Sequence, residues 1–398
     1  MREAIERARR NAECRLRDIR RAEVLMPDRS PEFKSLECIV ADSATVAALT
    51  AGLASPSVGT WNSALLRTRK LFGGIQAWAH RRARRSTQPH GLVLMYHRVA
   101  VAAVDPWGLC VAPDRFADQL RTLREHADVV PLEQLRQCLR SGRRSRPAVA
   151  ITFDDGYADN LTIAKPILTR YGAPATVFLA TDYIGRGGLF WWDDLAETIL
   201  SGHRLPLRMR LEAGVRAFTW QDDRLGLPGR RGEVARRRVH DRLWSWLAGL
   251  TDPDRRLALD RLHAWAQVTV HSQAEARPLL EDEVRELIVG GLVDVGAHTA
   301  SHRMLSTLTA TEKADEISRS WHACRRLVGR DPKCFAYPHG DYDADSIATV
   351  RNCGFAVACT SRQDLVWSST DPYLLPRVVV GDWTGQALLR RLEWNWLA

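Results

Sequence analysis

The run Val149-Ala150-Ile151-Thr152-Phe153 ends abruptly in Asp154-Asp155-Gly156. It is short, β-branched, uncharged and preceded by Pro147, which marks a buried strand rather than a helical turn. Gly156 permits a sharp exit. Two adjacent carboxylates at the mouth of a buried strand repel each other and lose hydration, so the fold must offer them a metal, a cation or a shared proton. Asp-Asp-Gly is also common turn chemistry, and the stretch alone leaves a catalytic and a structural reading open.

Runs of the same kind recur along the chain at 92–99, 175–179, 292–297, 334–340, 356–360 and 374–380. Residues at helical spacing separate several of them, such as Phe116, Leu120 and Leu123, or Leu132, Leu135 and Leu139. Strand–helix–strand alternation predicts an α/β fold with a parallel sheet and crossover helices. From about 186 to about 285 the alternation stops. That stretch is dense in arginine (Arg230, Arg231, Arg236, Arg237, Arg238) and tryptophan (Trp191, Trp192, Trp220, Trp244, Trp246, Trp265). It reads as a mainly helical insertion or lid. Its aromatic residues either stack on sugars or bases or form the core of a small subdomain.

With 398 residues, 45% of them apolar, the chain can bury a large α/β core with additions. Its net charge of +10 suits acidic partners such as anionic lipid, glycan or nucleic acid, but charge alone selects none of them. The eight cysteines form no CxxC pair and no zinc-finger spacing, which predicts reduced thiols in a reducing compartment; secretion with some of them paired is the alternative. Residues 39–54 are weakly apolar, include Asp42 and fall short of the ~20 residues of a membrane span. Residues 1–25 are too charged for a signal-peptide core, although a start at Met26 would turn 44–54 into a poor one. These features predict a cytoplasmic protein or one peripheral on the inner membrane face. Residues 1–88 form a basic N-terminal extension, helical or disordered over 1–25. Trp61, Leu65, Phe72 and Ile75 recur at helical spacing beside Arg67, Arg69 and Lys70, and the run Arg81-Arg82-Ala83-Arg84-Arg85 follows. This basic amphipathic helix either lies on an anionic membrane or docks on its own catalytic domain. No nucleic-acid partner is expected.

His97, Asp154, Asp155, His298 and His339 each sit just past the C-terminal end of a predicted parallel strand, the rim on which α/β barrels assemble their chemistry. His298 and His302 are four apart, so a helix or tight loop puts both imidazoles on one side, able to bind one metal. Two histidines and one aspartate leave a coordination position open for water, and the second aspartate stays free to take a proton.

Thr152-Phe153-Asp154-Asp155-Gly156, followed by His298-Thr299-Ala300-Ser301-His302, resembles the polysaccharide deacetylase family, the NodB-like carbohydrate esterases, whose first two motifs are TFDDG and H(S/T)xxH. The similarity runs from about residue 92 to about 392 and includes the FAYPxG-like stretch 335–340; residues 1–88 and the arginine-rich insertion lie outside it. The resemblance implies a distorted (β/α) barrel over residues 89–398 and hydrolysis of N-acetyl, less often O-acetyl, groups on a sugar such as a chitooligosaccharide, peptidoglycan or exopolysaccharide. It implies Asp154 as general base, with Asp155, His298 and His302 holding one divalent metal: zinc, with cobalt, nickel or manganese as alternatives. It further implies that the metal and a backbone N–H near Tyr337 stabilise the oxyanion. A catalytically silent glycan-binding relative and a membrane-associated deacetylase of a lipid-linked sugar are the competing readings.

The chain departs from the family pattern twice. The late Leu-x-His motif that often supplies the proton donor is Leu375-Pro376-Arg377 here. Some members place the acid histidine near the start of the domain, which Tyr96-His97 fits, with His339 in reserve. The arginine that often orients the base is replaced by Phe335, and Arg377 is the candidate to approach Asp154 from the last strand. Leu375 and Trp383 either line a pocket for the acetyl methyl or belong to the core.

Overall fold

The structure, a computed structural model, describes residues 90–141, 146–227, 229–268 and 276–396. The expectations for the N-terminal extension, including the basic helix at 61–85 and the weakly apolar run at 39–54, lie outside the described residues. Among the described residues no helix is long and apolar enough to cross a membrane.

The strands in chain order are β1 (His90–Tyr96), β2 (Arg98–Val99), β3 (Cys110–Val111), β4 (Asp128–Val129), β5 (Ala148–Phe153) and β6 (Ala175–Leu179). β7 (Arg208–Ala213), β8 (Arg216–Gln221), β9 (Val293–Ala297), β10 (Cys334–Ala336), β11 (Val357–Cys359), β12 (Val366–Trp367) and β13 (Val378–Val379) follow. Nine of them share one sheet, ordered β11-β10-β9-β6-β5-β1-β12, with β4 also on β5 and β13 also on β1. Every pairing in it is parallel except β1 with β12. The sheet closes on itself. Leu375 bridges Cys359 in parallel, its amide donating to the Ala358 carbonyl at 2.9 Å, and the Val380 amide then donates to the Met95 carbonyl at 3.0 Å. The ring is therefore β1, β5, β6, β9, β10, β11 and the segment 375–380: an α/β barrel with crossover helices outside.

All six residues of β5 are buried, as a strand covered on both faces requires. Their side chains alternate. Val149, Ile151 and Phe153 join the large cluster beneath the helices, whereas Ala148 and Ala150 join a smaller one with Phe178, Ala336, Cys359 and Leu375. The smaller cluster includes the barrel interior, where small residues leave room for a few large ones. Gly296 belongs to this logic, because a Cβ there would stand 2.6 Å from the Phe178 ring and 2.7 Å from the Cys334 carbonyl oxygen. Outside, Gln119 on the helix Pro113–His126 accepts from the Tyr96 hydroxyl and donates to the carbonyls of Gly381 and Trp383, tying the end of the chain to β1.

Between β6 and β9 lies the departure from strand–helix alternation. It holds the helices Trp191–Leu200, Arg230–Ala248 and Asp252–Ala266, and also an antiparallel hairpin, β7–β8, within the stretch expected to be mainly helical. In β7 the buried Met209, Leu211 and Ala213 alternate with the exposed Arg208, Arg210 and Glu212, the period of a half-buried strand. The segment has its own core, including Trp191, Leu195, Leu211, Phe218, Leu243 and Leu262. Two of its arginines are buried caps of helix C-termini. Arg236 donates to the Ile199 carbonyl at 3.1 Å, and Arg255 donates to those of Leu247 and Leu250 at 3.0 and 2.9 Å.

Gly296→Ala is expected to lower the unfolding free energy by about 1–3 kcal/mol through overpacking between Phe178 and β10. Chemical denaturation checks this, and an unchanged midpoint would contradict the packing inside the barrel.

Candidate active site

Each candidate residue stands where a short buried strand gives out at one end of the barrel. β5 ends at Phe153, and Asp154 and Asp155 follow with 3% and 4% exposure. They diverge because Asp155 takes a left-handed backbone, φ 75°, which turns its side chain away from its neighbour's path.

Asp154 belongs to Arg377. The guanidinium donates to both carboxylate oxygens, Nη1 to Oδ1 at 2.6 Å and Nη2 to Oδ2 at 2.7 Å. It also donates to Thr152 Oγ1 and to the Thr360 carbonyl. The arginine is 1% exposed and stands over the Phe178 ring at 5.6 Å. Burial would raise the Asp154 pKa, but the charge of Arg377, helped by His298, holds the carboxyl below its ordinary range. Phe335, which occupies the place of an orienting arginine in the motif, is buried in the core instead.

Asp155 has different partners. Its Oδ1 is buried without a hydrogen bond, yet His302 Nε2 stands 3.2 Å away and His298 Nε2 3.7 Å away. His298 Nδ1 lies 2.7 Å from the Ala336 carbonyl, which can only accept, so Nδ1 carries the proton and Nε2 keeps its lone pair. Burial lowers the His298 pKa to about 4, leaving the ring neutral at pH 7. Burial pushes Asp155 up, and the imidazoles around it, His302 foremost, bring it well below the usual carboxylate range. One ligand atom from each of Asp155, His298 and His302 lies within 4.8 Å of the others. An orphaned carboxylate oxygen facing a bare imidazole nitrogen and a second imidazole is the donor set of a divalent transition metal.

The two histidines sit on a tight loop, not a helix. Thr299 and His302 are both left-handed, with φ 60° and 59°. Glu316, 4% exposed on the helix Ala310–Val328, clamps the loop by accepting from the Ala300 and Ser301 amides at 3.1 and 2.8 Å. Thr299 Oγ1 accepts from the His302 amide at 3.1 Å.

His97 follows β1 and lines the same cavity as the aspartates and the histidine pair. Its carbonyl accepts from Asn160 Nδ2 at 2.9 Å, and the adjoining backbone is anchored by a buried ion pair, Arg98 Nε to Asp159 Oδ2 at 2.9 Å. Tyr337 and His339 follow β10 on the cavity wall. The Tyr337 amide donates to the Cys359 carbonyl at 3.0 Å, so it is committed to the barrel and cannot serve an oxyanion. Pro338 has no N–H, which makes the His339 amide the next one along. His339 is left-handed, φ 57°, and its ring centroid is 4.6 Å from that of His302. Burial lowers its pKa to about 3.

Leu375 does not reach the cavity. It is fully buried in the wall that closes the barrel, where its backbone pairs with Ala358 and Thr360. Trp383 likewise packs under Arg391, 4.3 Å from its ring, away from the site. Sequence reading missed the Asp159–Arg98 pair, Asn160, Glu316 and Trp107, of which Trp107 lines the cavity. The only signal for Asp159 was a charge in an otherwise uncharged stretch, 156–164.

The barrel rim thus gathers three side chains able to hold a metal beside an arginine-clamped carboxylate, an arrangement suited to hydrolysis. The polysaccharide deacetylase family model matches residues 141–207 and 260–358, which include both aspartates, His298, His302 and the 335–340 stretch. Over those residues the chain matches a polysaccharide deacetylase domain. YxkH of Bacillus subtilis (strain 168), whose name assigns it to the polysaccharide deacetylases, is 33% identical over 95 residues, covering 23% of this chain and 33% of that protein. The match thus spans about a third of that relative's length. Among solved structures, the chain is similar to the Streptococcus pyogenes deacetylase PplD in complex with acetate, with a TM-score of 0.49 and 17% identity over 76% of this chain and 98% of that one. It is also similar to IcaB from Ammonifex degensii, with a TM-score of 0.48 and 18% identity over 78% and 98% of the two chains.

The electrostatics of the site carry two expected outcomes. Arg377→Met strands a buried carboxylate and should cost about 3–5 kcal/mol of stability, read by urea denaturation; Arg377→Met combined with Asp154→Asn should recover part of the loss. The second concerns Asp193, which accepts from the Tyr157 hydroxyl at 2.8 Å and whose carboxyl desolvation lifts to about 7. A raised folded-state pKa gives stability that is full below the ordinary carboxylate range and is lost as pH rises through about 7. With metal chelated, Asp193→Asn should therefore match the wild type in thermal unfolding near pH 4 and exceed it at pH 8. Parallel curves for the two proteins would contradict the assignment.

Proposed function

We propose that this protein is a metal-dependent hydrolase that removes N-acetyl groups from an amino sugar of a carbohydrate. The observation that carries the reading is the orphaned Asp155 Oδ1 facing His298 and His302 beside an Asp154 fixed by Arg377. Asp155, His298 and His302 would hold the cation, zinc by the chemistry of the donor set. When bound, it supplies Lewis-acid polarisation of the acyl carbonyl and lowers the pKa of water.

The chain's own residues supply the rest. Asp154 takes the proton of the attacking water. Arg377 keeps it ionised at neutral pH and fixes its plane, so it is poised without reorganising. The His298 hydrogen bond to Ala336 holds that ring in the ligating tautomer. His97, on the wall of the same cavity, gives a proton to the leaving amine, and its anchored backbone fixes where that proton is offered. The His339 amide is the donor for the carbonyl oxygen. Water must reach the centre, and the cavity admits it.

Acetate release from N-acetylglucosamine oligomers and from peptidoglycan tests the reading. Release should stop on chelation and return with added zinc. His97→Ala should lower kcat by about 10²–10⁴-fold, and Asp154→Asn by a loss of the same order or larger, with both variants still binding one zinc. Chelator-insensitive release, or full activity in His97→Ala, would overturn the assignment of roles.

A further inference from the structure

The cavity above the cluster is about 320 Å³, near the lower end for small-ligand sites. Three tryptophans wall it. Trp107 comes from the loop between β2 and β3, and Trp192 and Trp244 from the segment between β6 and β9. Each is braced by its neighbours. Trp192 Nε1 donates to the Tyr157 hydroxyl at 2.8 Å, and its ring stacks on Phe190 with centroids 4.7 Å apart. On the cavity side its centroid is 4.8 Å from that of His302. Trp244 lies edge-on to Trp107 at 5.8 Å and to His339 at 5.6 Å. Trp107, 45% exposed, is braced by His240 at 5.6 Å.

The helix Arg230–Ala248 sets the reach of this wall. Arg237 Nη2 donates to the Pro106 carbonyl at 2.8 Å, in the loop between β2 and β3. Trp244, seven residues on and about 10 Å further along the axis, meets His339 after β10. In the closed ring β1 and β10 are not neighbours: β11 and the segment 375–380 stand between them on one side, and β5, β6 and β9 on the other. The helix therefore bridges the β2–β3 loop and the loop after β10 at the mouth of the cavity. A polysaccharide bound through its interior needs a groove with two exits, and the helix with its tryptophans stands across that course. A single pyranose can enter, lay its C–H face on an indole and present its substituent to the cluster, the mostly apolar wall supplying contact and the cluster supplying orientation.

We propose that Trp107, Trp192 and Trp244 are the platform for the sugar ring that carries the reacting group, and that the bridging helix restricts the site to a terminal or single N-acetylhexosamine. The inference takes the identity of the reacting group from the deacetylase reading, whereas its geometry concerns binding alone.

The test uses the zinc-loaded full chain. Calorimetry measures binding of N-acetylglucosamine, N-acetylgalactosamine and N-acetylmannosamine, and of N-acetylglucosamine oligomers up to about six units, to the wild type, Trp107→Ala, Trp244→Ala and Trp244→Phe. Mass spectrometry then maps which residues of an oligomer lose acetyl. Affinity should level off after about two units, fall about tenfold or more in each alanine variant (about 1.4 kcal/mol), and largely return in Trp244→Phe. Deacetylation should occur at a chain end. Affinity that climbs with every added unit, loss of acetyl at interior positions, binding indifferent to both alanine variants, or no binding by any of these sugars would overturn the proposal. Tryptophan-dependent binding that levels off, with no acetate released from any sugar, would instead leave this inference standing and overturn the deacetylase reading.

Discussion

The ion pair between Arg377 and Asp154 holds the site together. Both side chains are buried, and taking two such charges out of water costs several kcal/mol per ion. The pairing offsets that cost only because the geometry is bidentate and two further guanidinium donors are satisfied by Thr152 and Thr360. Arg377 and its partners come from three places: the segment that closes the barrel, the end of β5, and the residue after β11. The pair is thus a clamp across the ring as well as an electrostatic device. It also explains why one aspartate of two adjacent ones can stay ionised without the metal. With Asp154 answered by arginine, Asp155 is the carboxylate left to face the histidines, and the repulsion between the two is resolved by separate counter-charges.

The second constraint is backbone strain. Five non-glycine residues among those described have left-handed φ, and four of them, Asp155, Thr299, His302 and His339, are at the site. Such conformations cost of order 1–3 kcal/mol for each residue and persist only where surroundings over-determine them. Here the surroundings are identifiable. The Glu316 carboxylate takes two loop amides, Thr299 Oγ1 takes a third, and the Asp155 carbonyl accepts from the Ala180 amide. The strain helps turn Asp155, His298 and His302, which leave two different strands, toward one point.

How much of this was legible in the sequence follows from which interactions are local. A buried parallel strand writes itself as an unbroken apolar run, so β5 and β6 could be read directly, and a polar residue at the end of such a run announces the rim. The HxxxH spacing and the Asp-Asp pair likewise stand in the sequence as neighbours. The partner of Asp154 does not. Arg377 lies 223 residues away, and only the closure of the barrel brings it in, so spacing along the chain could nominate it as a candidate but could not fix the contact. The Tyr337 amide was misplaced as an oxyanion donor for the same reason, since its engagement with Cys359 depends on the β10–β11 pairing. Leu375 was drawn toward the pocket by its place in the Leu-x-His-like stretch; two residues apart, it and Arg377 share a face of the closing segment, but Leu375 is buried in the cluster with Ala150, Phe178 and Cys359 while Arg377 reaches Asp154. The hairpin β7–β8 was hidden by arginines, which suggested helix where the period-two burial of Met209, Leu211 and Ala213 makes a strand.

The arginine and tryptophan density of the segment between β6 and β9 also divides once contacts are known. Arg236 and Arg255 cap helix ends, and Trp191 packs in the segment's own core, so part of the unusual composition is structural. Trp192 and Trp244 face the cavity, and the wall they form comes from two sources. Trp192 lies inside the stretches matched by the family model, whereas Trp244 and Arg237 lie in 208–259, between them. One side of the aromatic wall is therefore tied to the barrel through Tyr157, two residues past Asp155, and the other is carried by a helix held by a separate core. A rigid core under that helix is what the arrangement requires. A mobile helix would let Trp244 swing away from His339 and open the mouth, and its own buried cluster, with the Arg237 bond to Pro106 at one end, keeps that span in place.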